Sequence, residues 1–165
     1  MAALATGKKA PDFTLSGMDG NQFSLKEALQ QGPVVLAFFK ISCPVCQYAF
    51  PFLERIHQAY ASKKVAIIGV SQNNKKDTQT FIHEFGLTFP MLLDDKSSYP
   101  VSNAYGLTNV PTIFWIDLDG TIEISSVGWV KQEVEEINQK AAQIGQAALQ
   151  PVFRPDEQVS AYRPG

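Results

Sequence analysis

Cysteine and histidine are scarce in this sequence, with two of each among 165 residues. A disulfide-stapled scaffold needs more cysteines at wider spacing, and a tetrahedral structural zinc site needs four ligands. His57 and His83 have no partner at ligand spacing. We therefore expect no metal in the protein, with a zinc half-site completed across a dimer as the one exception.

Charged side chains are also few, at 18% of the chain, and the 14 basic and 16 acidic residues leave a net charge of −2. Nucleic-acid-binding domains carry a clustered basic footprint, whereas the lysines here are dispersed. We therefore expect no nucleic-acid partner. The hydrophobic content of 45% is typical of a globular domain with its own core and excludes a disordered chain.

Long hydrophobic runs are absent. The longest, Val34 to Phe39, has six residues, whereas a membrane-spanning helix needs about 20. The apolar residues Ala2 to Ala5 precede Lys8 and Lys9, which reverses the order of basic and apolar regions in a secretory leader. The sequence predicts no membrane partner and a cytoplasmic location, or an extracytoplasmic one if a leader has been removed.

The order of apolar segments and turn residues predicts an α/β fold. Val34 to Lys40 is a continuous apolar strand, of the kind that is buried on both faces of a sheet. The amphipathic stretch from the cysteines to about Ala61 predicts a helix with Pro51 as an internal kink, and Val65 to Val70 predicts a second strand. We expect these elements to form one parallel, right-handed crossover.

Shorter elements flank this crossover on both sides. A hairpin over 12–25 precedes it, followed by a short helix that Ser24 caps and that ends at Leu29. Downstream, the pattern predicts a helix over 78–85, a strand over 89–93, a helical turn over 103–107, a hairpin over 112–127 and an amphipathic helix over 131–149.

The chain is expected to form one domain over residues 1–149. Residues 150–165 contain three prolines and show no periodicity. We expect them to form an irregular C-terminal tail that is either packed on the domain or mobile, with Phe153 and Tyr162 as candidate anchors.

The two cysteines form a single Cys43-Pro44-Val45-Cys46 unit between a strand and a helix. Unpaired amide groups and the positive end of the helix dipole favour the thiolate of Cys43. Pro44 fits the first helical turn, where its missing N–H is not needed. Cys46, one turn further on, is expected to face Cys43 and to be less exposed. The spacing allows a disulfide, so the pair is either a redox couple or two incidental buried thiols.

With its surroundings, this unit resembles the thioredoxin superfamily, and within it the TlpA/ResA-type and AhpC/TSA-like redoxin branch. The match covers about residues 10–145 and includes Pro51, the helix-kinking proline of thioredoxins, and the segment Val110-Pro111-Thr112. Gly128 and Lys131 before the final helix match the closing segment of the family. The resemblance implies a thioredoxin-like fold, with a central mixed sheet flanked by helices, an N-terminal hairpin and an inserted helix and strand.

The resemblance also implies roles for individual residues. Cys43 would be the nucleophile and Cys46 the resolving thiol of a thiol-disulfide oxidoreductase, most simply a disulfide reductase. Pro111 would be a cis-proline beside the cysteines, and the backbone of Val110 would orient an extended substrate. No cofactor other than the redox-active disulfide is implied. The expected partners are protein or small-molecule disulfides and an upstream thiol reductant, and the protein would be a monomer or weak homodimer.

Two acids that members of the family use are missing. Thioredoxin has a buried aspartate six residues before the first cysteine, where this chain has Ala37. ResA-type members have a glutamate three residues after the second cysteine, where this chain has Ala49. Lys40 could stabilise a Cys43 thiolate or extend into solvent, and Glu54 could act through water or lie on a solvated helix face. We therefore hypothesise that Cys46 stays protonated in the reduced protein.

Two other functions remain as alternatives. A peroxiredoxin-like antioxidant peroxidase would carry a proline seven residues, and a threonine or serine three residues, before its reactive cysteine. Before Cys43 these positions hold Leu36 and Lys40, and before Cys46 they hold Phe39 and Cys43 itself. A non-enzymatic, redox-sensing binding module is the second alternative, and the missing acids favour it slightly.

Overall fold

The structure, a computed structural model, describes residues 2–60, 64–95 and 97–165. Helices and strands alternate through most of it. In chain order the elements are β1 (Thr14–Ser16), β2 (Gln22–Ser24), α1 (Leu25–Leu29), β3 (Val34–Phe39), α2 (Pro44–Tyr60), β4 (Ala66–Ser71), α3 (Lys75–Phe85), β5 (Met91–Leu93), α4 (Pro100–Ala104), β6 (Thr112–Ile116), β7 (Ile122–Val127), β8 (Trp129–Val130), α5 (Lys131–Ile144) and β9 (Tyr162–Arg163).

Five strands form a central mixed sheet in the order β5-β4-β3-β6-β7. β3 pairs in parallel with β4, and β4 pairs in parallel with β5. β6 runs antiparallel to both of its neighbours, β3 and β7. All six residues of β3 are buried, because the strand has neighbours on both edges and packed layers on both faces. The predicted fold class is confirmed.

The sheet separates two apolar layers. Successive side chains of a strand point to opposite faces, so alternate residues of β3 enter different layers. One layer contains Phe50 of α2, Phe81 of α3 and Ile137 of α5. The other contains Leu25 of α1 and Val101 of α4, together with side chains of the N-terminal hairpin. None of the helices in the described part of the chain has the length and apolarity that a membrane crossing requires.

Several local signals in the sequence are confirmed. β1 and β2 form the predicted N-terminal hairpin, and the side chain of Ser24 accepts a hydrogen bond from the amide of Glu27 at 3.3 Å at the start of α1. α2 begins at Pro44, contains Pro51 in its interior and is described as far as Tyr60. Its predicted end at about Ala61 lies outside the described residues.

Three boundaries differ from the prediction. α3 begins at Lys75 rather than at residue 78, because the side chain of Asn74 accepts from the amide of Asp77 at 2.8 Å and caps the helix within the stretch expected to be a loop. α5 ends at Ile144 rather than at residue 149, because Gln146, directly after the C-cap residue Gly145, has a left-handed conformation (φ 49°) that cannot continue the helix. The strand predicted over 89–93 is confined to β5.

The predicted helical turn over 103–107 lies three residues earlier, as α4. Pro100 occupies its first turn, where a missing N–H is not needed. The buried carboxylate of Asp94 accepts from the amides of Val101 and Ser102 at 3.2 and 2.8 Å. These amides would otherwise lack partners at the start of a helix, so Asp94 fixes where α4 begins.

The tail after residue 149 is packed on the domain. Val152 is buried, and the ring centroids of Phe153 and Phe52 lie 5.2 Å apart. The guanidinium of Arg55 donates to both carboxylate oxygens of Glu157, each at 2.7 Å. Nearer the end of the chain, β9 pairs antiparallel with β8. Tyr162 takes part in this pairing through its backbone, and the residue remains 60% exposed.

The aromatic cluster around Phe50 gives a test of the packing on which α2 depends. Phe50 is fully buried, with its ring centroid 4.5 Å from that of Phe39 and 5.8 Å from that of Phe81. Truncation leaves a cavity, so Phe50→Ala is expected to lower the free energy of unfolding by about 3–5 kcal/mol in urea denaturation.

The matched control is Leu118→Ala, at a residue that is 58% exposed. Its free energy of unfolding should change by less than about 0.5 kcal/mol. A loss below about 1 kcal/mol for Phe50→Ala would contradict the described packing.

Candidate active site

The cysteine pair lies at the point where β3 ends and α2 begins. The carbonyl of Cys43 accepts from the amide of Gln47 at 3.0 Å, which is the first turn of helical hydrogen bonding. The sulfur of Cys43 accepts from the amide of Cys46 at 3.2 Å. Cys43 therefore caps α2 with its sulfur, which accepts from an amide that would otherwise lack a partner at the helix start.

The two sulfurs have different surroundings. Cys43 is partly exposed, whereas Cys46 is fully buried, and neither is in a disulfide. Burial raises the pKa of the Cys46 thiol well above its ordinary value, and the hydrogen bond with Cys43 raises it further. This is the direction that the hypothesis of a protonated Cys46 requires. Ala37 and Ala49, where relatives carry acids, are fully buried apolar residues.

The segment Val110-Pro111 lies beside Cys43. The peptide bond between Val110 and Pro111 is cis, and Pro111 is buried. The carbonyl of Val110 accepts from the Cys43 thiol at 3.3 Å. The hydroxyl of Thr112 donates to the carbonyl of Asn109 at 2.8 Å and closes the loop.

The sheet explains why these two segments meet. β3 and β6 are antiparallel neighbours, with Phe38 opposite Thr112. The end of β3 leads to Cys43, and the start of β6 follows Pro111. Both therefore lie at the same end of the two paired strands. The pairing register places the two sequence motifs side by side although 67 residues separate Cys43 from Val110.

Two polar residues that the sequence analysis did not single out hold the loop before Cys43. The side chain of Asn73 accepts from the amide of Ile41 at 3.0 Å, and the side chain of Gln47 donates to the carbonyl of Ile41 at 2.9 Å. Asn73 follows β4, the parallel neighbour of β3. Its position after the adjacent strand is the one sequence signal that could have identified it.

Of the candidate modulators, Pro44 and Lys40 lie next to the pair. Pro44 is the first residue of α2. Lys40 is exposed, and its ammonium lies 5.9 Å from the centroid of the Tyr99 ring, which is at the outer limit of a cation–π contact of about 6 Å. The carbonyl of Lys40 accepts from the amide of Cys43 at 3.3 Å. Lys40 thus meets Cys43 through its backbone, while its side chain extends outward.

Glu54 is not brought to the cysteines. It lies eight residues beyond Cys46 on α2, or about 12 Å along the helix axis. Its carboxylate accepts from the amide and the hydroxyl of Thr88 at 2.8 and 2.6 Å, and from the side chain of Gln58 at 2.6 Å. Burial raises the pKa of Glu54, but these hydrogen bonds outweigh it and leave the pKa below its ordinary value. Glu54 ties α2 to the segment after α3.

Within the described residues, no three histidine, cysteine, aspartate or glutamate side chains are grouped as a metal ion would require. The arrangement is instead suited to sulfur chemistry. It contains one partly exposed cysteine at a helix start and a second, buried cysteine one turn further on. Such a pair can close to a disulfide when Cys43 becomes bonded to another sulfur.

Comparison with known proteins agrees with this geometry. The AhpC/TSA family matches residues 6–125. The thiol-disulfide oxidoreductase ResA of Geobacillus thermodenitrificans (strain NG80-2) is 33% identical over 141 residues, which are 82% of this chain and 79% of that protein. The thioredoxin-like protein YneN of Bacillus subtilis (strain 168) is 31% identical over 138 residues, covering 81% of this chain and 78% of that protein.

A solved structure is similar over most of both chains. The thioredoxin domain of a thiol-disulfide oxidoreductase from Bacteroides vulgatus is 26% identical and superimposes with a TM-score of 0.74, covering 84% of this chain and 98% of that domain. The Cys-x-x-Cys pair at the start of α2 is the feature that such an enzyme requires. The chain belongs to the AhpC/TSA family and, within it, is a thiol-disulfide oxidoreductase of the TlpA/ResA type.

Proposed function

We propose that the protein reduces disulfides, with Cys43 as the attacking thiol, Cys46 as the resolving thiol and no cofactor other than the disulfide that the two can form. The observation that carries the proposal is the asymmetry of the pair. Cys43 is partly exposed and its sulfur accepts a hydrogen bond from the amide of Cys46, whereas Cys46 is fully buried beside it.

The first step forms a mixed disulfide. The Cys43 thiolate attacks one sulfur of the substrate disulfide, and the substrate S–S bond breaks as the new S–S bond forms. The second substrate sulfur leaves as a thiolate and takes up a proton. The hydrogen bond that the Cys46 amide donates stabilises negative charge on Cys43 before the attack.

The second step releases the substrate. Cys46 loses its proton, and its thiolate attacks the Cys43 sulfur, which frees the remaining substrate thiolate. Two electrons and two protons have then passed from the Cys43/Cys46 dithiol to the substrate. An upstream dithiol reductant restores the pair by the same exchange in reverse. Because Ala37 and Ala49 offer no acid or base, we propose that the proton of Cys46 passes to water before the attack and that the departing substrate thiolate takes up a proton from solvent.

Val110 would orient the substrate. Its carbonyl accepts from the protonated Cys43 thiol at 3.3 Å. Once Cys43 is a thiolate, it no longer donates, and the carbonyl becomes available to a backbone amide of an extended substrate. The rigid ring of Pro111 would keep other groups away from the sulfur.

The proposed direction, reduction of substrate disulfides, fits the cytoplasmic location that we propose. Cytosolic glutathione is poised at about −220 to −320 mV, which keeps a dithiol of thioredoxin-like potential reduced and ready to act. The Pro44-Val45 dipeptide between the cysteines adds no charge that would favour the opposite direction. A peroxidase reaction lacks support, because the position three residues before Cys43 holds Lys40 in place of a hydroxyl residue.

Replacement of each cysteine by serine tests the two roles. Cys46→Ser should accumulate a mixed disulfide between Cys43 and a substrate such as insulin, because the resolving thiol is gone, whereas Cys43→Ser should form none. Both variants should lose at least about 100-fold in turnover with dithiothreitol as reductant. Intact-protein mass spectrometry detects the adduct.

The two variants serve as controls for each other. Turnover near that of the unmodified protein in Cys43→Ser would refute the assignment of the nucleophile. If the unmodified protein forms the adduct but does not turn over, the redox-sensing binding module is the better account.

Because Cys46 is buried, we expect the rate of the resolving step to depend on pH. Because burial raises its pKa, Cys46 should remain a thiol through neutral pH and ionise only in the alkaline range, so resolution should accelerate about 10-fold per pH unit over pH 6–8. Thiolate absorbance near 240 nm in Cys43→Ser measures this ionisation directly. Unfolded protein, with its exposed thiol titrating near pH 8.5, is the control. Ionisation of Cys46 at or below pH 7 would contradict a buried, protonated resolving thiol.

A further inference from the structure

The end of the chain lies on the same side of the molecule as the reactive sulfur. β8 follows directly after Gly128, whose amide donates to the carbonyl of Pro111 at 2.8 Å. β9 pairs antiparallel with β8, with Trp129 opposite Arg163. Residues 160–165, here called the terminal segment, therefore run along the strand that adjoins Pro111.

Backbone contacts bring the terminal segment onto Val110 itself. A Cβ atom added to Gly165 would collide with the carbonyl oxygen of Val110 and lie 3.0 Å from its carbonyl carbon. A Cβ atom added to Gly128 would lie 2.6 Å from the carbonyl oxygen of Arg163 and 3.0 Å from the amide nitrogen of Gly165. The absence of side chains at both glycines permits this approach. The Val110 carbonyl that meets Gly165 is the group to which Cys43 donates.

Side chains next to the cysteine pair hold the segment in place. The hydroxyl of Tyr48, on α2, accepts from the amide of Ser160 at 3.1 Å, and the guanidinium of Arg163 lies 3.9 Å from the centroid of the Tyr48 ring. The indole N–H of Trp129 donates to the carbonyl of Ser160 at 2.7 Å. The amide of Lys131 donates to the carbonyl of Ala161 at 3.0 Å.

The tail after residue 149 has one part that is packed on the domain and a last part that is exposed. Val152, Phe153 and Glu157 are buried or partly buried against the domain, whereas residues 161–165 are all exposed. The terminal segment is held by the hydrogen bonds at Ser160 and Ala161, a two-residue strand pairing and one cation–π contact, and it buries no large apolar side chain. Such contacts provide little stabilisation compared with a buried core. The terminal segment can therefore leave its place while the tail up to residue 157 stays packed.

We propose that the terminal segment occupies, within the same molecule, the strip where the extended peptide around a protein disulfide docks. The strip consists of the backbone of Val110, Gly128 and β8, and it binds an extended chain by strand addition. A protein disulfide must displace the segment, whereas a small disulfide reaches Cys43, which is partly exposed, without doing so. This inference rests on the proposed disulfide exchange and adds a restriction on its substrates.

Removal of residues 160–165 tests the proposal with two substrates. If the segment is docked in about nine-tenths of the molecules, its removal should raise kcat/KM for insulin reduction about 10-fold. The rate with hydroxyethyl disulfide should change by less than about 2-fold, because the competent fraction for a small disulfide is unaffected. The inference would be overturned if removal of the segment left both rates unchanged. It would also be overturned if removal raised the rates with insulin and with hydroxyethyl disulfide by the same factor.

Two point variants decide the question if the truncated protein does not fold. Arg163→Ala removes the contact with Tyr48 and should raise insulin reduction about 2- to 3-fold without affecting the small disulfide. The matched control is Arg154→Ala, an exposed arginine outside the terminal segment, which should change neither rate. If the truncated protein is unfolded, an unchanged rate of insulin reduction in Arg163→Ala would overturn the inference.

The two substrates also separate this inference from the proposed function. Turnover of hydroxyethyl disulfide by the unmodified protein establishes disulfide exchange independently of the segment. Failure of that reaction would refute the proposed function. Exchange with the small disulfide, combined with no gain for insulin on removal of the segment, would refute only the inference.

Discussion

The antiparallel pairing of β3 with β6 is the constraint on which the active site depends. It places Phe38 opposite Thr112, and so brings the cysteine loop and the cis-proline loop to the same end of the two paired strands. A register slip of one residue would turn the buried side chains of each strand to the opposite face, so the packing of both layers fixes the register. The hydrogen bond from Cys43 to the Val110 carbonyl is a local consequence of that pairing.

The chemistry follows from the different surroundings of two identical side chains. Cys43 lies at the start of α2, where the amide of Cys46 donates to its sulfur, while Cys46 lies within the apolar layer beneath. In the proposed exchange, the first position favours a nucleophile that is ready to react, and the second favours a thiol that reacts only when a mixed disulfide has formed next to it. Without acids at Ala37 and Ala49, this difference depends on burial and on hydrogen bonds at the helix start. The proposed role of the terminal segment adds a second level of selection, because the segment contacts the backbone of Val110 beside Cys43.

Local signals in the sequence were sufficient for the central elements. The unbroken apolar run of β3, the cap at Ser24 and the Cys-x-x-Cys unit each depend on neighbouring residues, and they predict the crossover and the cysteine pair. The placement of Pro111 beside the cysteines came from the resemblance to the family. What the sequence did not reveal depends on side-chain contacts between separate segments: Asn73 with Ile41, Asp94 with the start of α4, and Glu54 with Thr88. The pairing of β9 with β8 belongs to the same class, because two-residue strands leave no periodic pattern in a sequence.

The most direct test of the central claim is a redox titration of the purified protein against glutathione and dithiothreitol, with the Cys43/Cys46 disulfide followed by the mass shift of thiol labelling. The account predicts a reversible two-electron couple within one molecule, with a potential near about −270 mV, as expected for a reductase. A potential above about −200 mV would contradict the reductase direction and indicate an oxidant or isomerase. If no disulfide forms between Cys43 and Cys46, the exchange mechanism itself is contradicted.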